Sequence, residues 1–239
     1  MLAAEQATVA EQEYLETMFW IDEAGLPMTG ANIARAMQLS APTVHEMVGR
    51  LVKDGYVERN KDKSLAFTED GRERASYIVR RHRMIERFLT DVLNIPWDEV
   101  HEEAERIEHA MSPVLEERMR EAIGDATTCP HGHPIVEGIR ERGSLLADCE
   151  IGADVIVLRF ENEAEELLHY LKDAGYNPGL HGKVSESDDD HVTIHGDDGE
   201  DHVVSRSVAE TVSVRADPAP APRAAIPEQL VLSSDRYGR

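Results

Sequence analysis

Lysine is scarce in this chain: of 25 basic residues only Lys53, Lys61, Lys63, Lys172 and Lys183 are lysines, and the rest are arginines. Aromatic residues make up 5% and cysteines number two, Cys129 and Cys149. Two cysteines cannot build a disulfide framework. No run of ~18 apolar residues occurs, which excludes a transmembrane helix. The opening MLAAEQATVAEQEYLE has acids where a secretory signal needs a basic start and an apolar stretch. These absences point to the cytoplasm and away from membranes. A hydrophobic fraction of 41% over 239 residues is enough for packed cores, and the length allows one to three domains.

What the chain has in excess is acid: 47 Asp and Glu, for a net charge of -22. Together with few lysines and small apolar residues, this suggests adaptation to a salt-rich cytoplasm. Such a charge argues against nucleic acid, whose phosphates repel it. The distribution says otherwise. From Thr29 to Arg87 there are 12 Lys and Arg against 8 Asp and Glu, a basic island in an acidic chain.

That island coincides with a recognisable pattern. The segment from Glu5 to Asp22 carries a helical apolar stripe of Tyr14, Leu15, Met18, Phe19 and Ile21. After Gly25 and Pro27, Thr29 opens a short helix. Ser40 then caps a second one, with Pro42 in the first turn and Gly55 as terminator. YVERN, KDKS and LAFT follow as a hairpin. Helix, turn, helix and hairpin predict a winged helix-turn-helix over 1–72. In that motif the second helix enters the major groove of double-stranded DNA. Ser40, Pro42, Thr43, Glu46 and Arg50 are its exposed face, Lys53 lies at its end, and Lys61 and Lys63 mark the hairpin tip.

Residues 73–148 read as helical. A long helix runs from Asp70 to about Asn94, Asp98 caps another through His109 and Ala110, and Ser112-Pro113 opens a third. Over 152–215, short β-branched runs at turn-rich spacing predict a small barrel, interrupted by a helix with Leu167, Leu168 and Leu171. The Pro/Ala tract of 216–239 reads as a tail. The fold class is mainly α with small β.

Two of these helices carry metal-ligand residues in register. His82 and Glu86 are four apart, while His101, Glu105, Glu108 and His109 follow i, i+4, i+7 and i+8. An inward face of imidazoles and carboxylates needs a cation, because buried charges must be paired or coordinate metal. Glu13 and Glu16 on the first helix can add oxygens. The same set could instead activate water in a metallohydrolase, although no H-E-x-x-H motif accompanies it. It could also line the solvated helices of a metal-independent interaction protein. Cys129, His131 and His133 in CPHGHP read as a loop joining elements. The acid run of Glu186, Asp188, Asp189 and Asp190 reads as a solvated hairpin.

The stretches EQEYLETMF, LSAPTVHEMVGRLVKDGYVE, RRHRMIERFL, VHEEAERIEHAMS and CPHGHPI resemble the diphtheria toxin repressor family of metal-dependent regulators over about 10–140. Residues 152–215 more weakly resemble its SH3-like domain. The resemblance implies a homodimer that binds palindromic operator DNA when loaded with Fe²⁺ or Mn²⁺, most simply to repress metal uptake. It also implies dimer contacts through the helices after the wing, with Val114, Leu115 and Ile123 among them. It places Glu13, Glu105, Glu108, His109 and His82 in the regulatory site, with Glu16 beside Glu13, and His101 and Glu86 in an ancillary one. Iron-type members have Met and Cys where this chain has Glu13 and Glu105. Hard carboxylates there resemble the manganese transport regulators and lean toward Mn²⁺. Iron-type members also have Gln at the position of Glu46, so the operator sequence does not carry over. The family's ancillary acid and amide fall near Ala164 and Leu167. Glu163, Glu165 and Glu166 are the neighbouring acids, and the alignment alone assigns none of them.

Overall fold

Five of the first six helices of the computed structural model, which describes residues 8–136 and 140–221, begin at a hydroxyl side chain that accepts from their first-turn amides. Thr8 caps α1 (Val9–Glu23), Thr29 caps α2 (Gly30–Ala36), and Ser40 caps α3 (Ala41–Lys53). Thr68 and Ser112 do the same for α4 (Glu69–Asp91) and α6 (Pro113–Ile123). Each cap satisfies an amide that the helix itself leaves orphaned. At Thr8 the cap is a full capping box closed by Glu11. Of the helix expected from Glu5, the residues Glu5 to Ala7 lie outside the described range.

The first unit packs α1, α2 and α3 around Leu15, Met18, Ile21, Ile33, Met37, Val48 and Leu51. A hairpin of β1 (Val57–Arg59) and β2 (Leu65–Phe67) follows, with Lys61 and Lys63 exposed at its tip. Gly71 seats the hairpin on α4. A Cβ there would stand 1.8 Å from the Tyr56 carbonyl oxygen, so only glycine permits the approach. This is a winged helix.

The second unit joins α4 to α5 (Val100–Glu108) and α6 through Met84, Ile85, Leu89, Val100, Ala104 and Met119. Asp98 does not cap α5 as its sequence position suggests. Glu99 is the N-cap, without a side-chain bond, and Asp98 is buried, accepting from Lys172 Nζ at 2.6 Å.

The third unit is an antiparallel sheet in the order β3-β8-β4-β5-β6-β7. Its strands are β3 (Ser144–Leu145), β4 (Asp154–Phe160), β5 (His181–Ser187), β6 (His191–Gly196), β7 (Asp201–Ser205) and β8 (Val212–Asp217). Helices α7 (Glu165–Asp173) and α8 (Arg206–Ala209) connect strands. Alternate residues such as Val155, Val157, Val192, Ile194 and Val214 fill its core. The strand β3 has no counterpart in the sequence reading. The expected tail begins later than residue 216, since Ala216 and Asp217 still pair with β4, and residues from 222 lie outside the described range. Lys172 on α7 reaches back to Asp98, and the Trp97 ring stands 5.5 Å from that of Phe160, so the sheet unit is docked on the helical one.

Candidate metal centre and nucleic-acid interface

His82 is the hub of the buried polar cluster. Its Nδ1 lies 2.9 Å from Glu108 Oε2 and 3.6 Å from Glu16 Oε1. Its Nε2 lies 3.1 Å from Glu86 Oε1 and 3.2 Å from His101 Nδ1. The helical spacing of α4 stacks His82 over Glu86, and that of α5 stacks His101, Glu105 and Glu108 against them. His101 Nδ1 is 3.0 Å from Glu86, and its Nε2 is 3.5 Å from Glu105. His109 sits at the end of α5, 3.2 Å from Glu108 and 3.1 Å from Gln12 of α1. Glu13, half-buried on α1, feels the charges of His109, Glu105 and Glu108. The two sites anticipated from the resemblance are therefore bridged, because His82 touches members of both.

The cluster extends beyond the residues singled out in the sequence. The CPHGHP segment is a loop as expected, but it folds inward. Cys129, His131 and His133 are all buried, and His131 Nδ1 is 3.4 Å from Glu86 Oε1. Among the acids left unassigned, Glu163 is the one that enters. It approaches His101 Nδ1 at 3.4 Å, His133 Nε2 at 3.2 Å and His131 Nδ1 at 3.8 Å. The Cys-x-His-x-His spacing was a visible signal for the loop. Nothing local marked Glu163, which arrives from beyond β4.

Ligand atoms come within 4.8 Å of one another in three buried groups: His82, Glu86 and His101; Glu86, Cys129 and His131; and Glu16, His82 and Glu108. Glu86 Oε2, His101 Nε2 and His131 Nδ1 are buried without a hydrogen-bond partner. Orphaned acceptors among carboxylates, imidazoles and a thiol are the donor set of a divalent cation, so the residues fit a metal. A fourth group, Asp98, Glu99 and His169, lies at the junction with the sheet unit, where Lys172 already pairs with Asp98.

Electrostatics agree. Burial opposes charge on His82, yet Glu86 and Glu108 outweigh it and hold the imidazole well above its ordinary range. Burial likewise opposes charge on His131, and Glu86 reverses it. Burial opposes charge on Glu86 too, and His131 and His82 hold its carboxyl well below the usual range. Burial and Glu86 push the Cys129 thiol up. A metal must displace the protons on these imidazoles. Mn²⁺ binding is therefore expected to release protons and to tighten as pH rises through and above neutrality, which calorimetry in buffers of different ionisation enthalpy checks. The sign reverses for the metal-free fold. Raised imidazoles contribute stability fully below their unfolded value of 6.5 and lose it as pH rises through the folded values. The depressed Glu86 contributes fully above 4.5 and fails only in stronger acid. In chelator, the melting temperature should decline from pH 6.5 upward, and added Mn²⁺ should offset that decline.

In the first unit, Ser40, Pro42, Thr43, Glu46, Arg50 and Lys53 are exposed along α3, as is His45, which the sequence reading left out. The Ser40 and Thr43 hydroxyls are 2.7 Å apart. Arg50 Nη2 donates to Glu11 Oε1 of α1 at 2.8 Å.

Comparison with known proteins places these units. Residues 7–65 match the iron-dependent repressor N-terminal DNA-binding domain, and residues 68–137 match the iron-dependent repressor metal-binding and dimerisation domain. The iron-dependent repressor IdeR of Mycobacterium tuberculosis is 34% identical over 218 residues, covering 84% of this chain and 94% of the relative. The diphtheria toxin repressor of Corynebacterium diphtheriae is 39% identical over 130 residues, covering 54% and 57%. Among solved structures, a manganese-dependent transcriptional repressor in complex with manganese aligns at a TM-score of 0.78 and 27% identity, over 88% of this chain and all of that one.

Proposed function

Because this chain belongs to the iron-dependent repressor family, we propose that its buried His/Glu cluster is the metal sensor that switches operator binding by α3 and the wing. The chain is a metal-dependent, DNA-binding transcriptional repressor that works as a dimer. The hydrolase and metal-independent readings give way to this one, since its relatives are repressors. No helix among the described residues is long and apolar enough to cross a membrane, and we assign the protein to the cytoplasm, where its operator would be.

One observation carries the sensor: acids and imidazoles from α1, α4 and α5 converge, buried, directly after the winged helix. Glu13, Glu105, Glu108 and His109, with Glu16 and His82, would hold one cation. Glu86, His101, Cys129, His131 and Glu163 would hold another. A bound cation supplies the positive charge that lets these carboxylates share one site. Glu13 and Glu16 belong to α1, the others to later elements, so capture fixes α1 and the winged unit against the helical unit. Carboxylates at Glu13 and Glu105 favour Mn²⁺ as the cation, and membership of the family makes metal-uptake genes the simplest targets. Such coupling is reciprocal, and operator DNA should tighten Mn²⁺ binding as much as Mn²⁺ tightens operator binding. The test is a mobility shift on fragments of the chain's own promoter, with and without Mn²⁺. A shift independent of metal would overturn the reading.

Salt dependence separates the two kinds of DNA contact. The basic island over Thr29 to Arg87 nets only about +4, 12 bases against 8 acids, in a chain of net charge -22. At ~1 M salt the Debye length is ~3 Å, and counterion release drives little binding. Ser40, Pro42, Thr43 and Arg50 must then act at short range, with Lys61 and Lys63 anchoring the wing. The expected KCl slope is shallower than for a repressor with ~6–10 phosphate contacts. Arg50→Ala should lose affinity even at molar salt, and Lys61→Ala mainly at low salt. Equal, steep losses in both would mean ordinary phosphate electrostatics.

A further inference from the structure

Three consecutive residues near the start of α1 face three different partners. Glu11 takes Arg50 of α3, Gln12 takes His109 of α5, and Glu13 lies in the field of Glu105, Glu108 and His109. Glu11 is well placed to transmit a shift. Its side chain is 7% exposed, and its two oxygens are divided between the Arg50 guanidinium at 2.8 Å and the Thr8 amide at 2.9 Å. Arg50 keeps half its side chain in solvent, so one guanidinium edge is fixed and the other stays available. Between the helices runs a groove of about 410 Å³ lined by both Glu13 and Arg50. The Glu11–Arg50 ion pair is thus a direct link between α1 and α3 beside that groove.

We propose that Glu11 is a positioning residue for operator binding: it sets Arg50 according to where the first turn of α1 lies, and so carries metal capture at Glu13 to the reading helix. The proposal rests on α3 being the operator-reading helix. Charge-assisted bonds hold geometry better than neutral ones, and a buried carboxylate resists losing its cationic partner. Glu13 is two residues from Glu11 in one rigid turn. Any displacement of Glu13 toward a cation must move Glu11, and Arg50 follows.

The test uses Glu11→Gln in the full chain, since Gln at this position preserves the capping box but presents no charge to Arg50. Operator affinity is measured by fluorescence anisotropy with and without Mn²⁺ for the parent protein, Glu11→Gln, Arg50→Ala and the double variant. Mn²⁺ affinity without DNA is measured alongside. Glu11→Gln is expected to cut the Mn²⁺-driven gain in operator affinity about 5- to 10-fold, the low end of typical coupling. Mn²⁺ affinity without DNA should be unchanged, and Glu11→Gln should have no further effect in the Arg50→Ala background. Parent-like behaviour of Glu11→Gln, or losses that add in the double variant, would overturn the proposal. So would stronger metal-free binding by Glu11→Gln, which would mean that Glu11 withholds Arg50 from phosphate. Failure of the operator reading looks different, because the parent protein itself would then show no Mn²⁺-dependent binding.

Discussion

His82→Ala is expected to abolish Mn²⁺-dependent operator binding, a loss of at least about 100-fold, since even outer partners of metal ligands cost 10–100-fold when removed. The imidazole touches Glu16, Glu86, His101 and Glu108 from both ring nitrogens. Its removal leaves three buried carboxylates without their shared partner, and breaking a buried pair costs about 3–5 kcal/mol of stability. Loss of binding alone is therefore ambiguous. His109→Ala resolves it. His109 lies at the rim, 17% exposed, and contacts only Glu108 and Gln12 among the ion pairs and hydrogen bonds described. Its removal should spare the melting temperature in chelator while still weakening Mn²⁺-dependent binding strongly. Parent-like operator affinity of either variant at limiting Mn²⁺ would sink the ligand assignment.

The winged helix could be read from the sequence because its signals are local. Caps at Thr29 and Ser40, Pro42 in a first turn, and Gly55 as terminator each act within one helical turn. Ligands on α4 and α5 were equally legible, since a 3.6-residue period alone puts His82 over Glu86 and His101 over Glu105. What failed to show depends on tertiary approach. Glu163 lies among Glu161, Glu165 and Glu166 with nothing local to distinguish it, and only docking of the sheet unit selects it. His131 sits in a loop without periodicity, and its role appears only when the loop packs onto Glu86. Asp98 misled for a related reason. The same side chain that favours an N-cap also favours an ion pair, and Lys172, 74 residues later, decides between them.

Val114→Asp is expected to convert the dimer to a monomer and to weaken binding to a two-half-site operator by about 100-fold or more. Val114 is 73% exposed and Leu115 46% exposed in the first turn of α6, while Val92 and Leu93 are exposed just past α4. Aliphatic side chains at helix starts and ends are ordinarily turned inward. We assign them to the dimer interface, where a second copy would cover them, and Ile123 at the far end of α6 is already partly covered by the helical core. A carboxylate at Val114 meets water in the monomer at little cost, so folding and Mn²⁺ affinity should be preserved. In the dimer the same carboxylate would be desolvated without a partner, in a chain already at -22. Two winged helices joined in one dimer engage two half-sites with an avidity of roughly 10²–10⁴ over a single one. A single half-site should therefore bind the variant and the parent protein alike, whereas the full operator should distinguish them. Sedimentation at micromolar concentration with Mn²⁺ present reads the assembly, and anisotropy on full and half operators reads the consequence. A variant that stays dimeric and keeps full-operator affinity would move the interface away from α6.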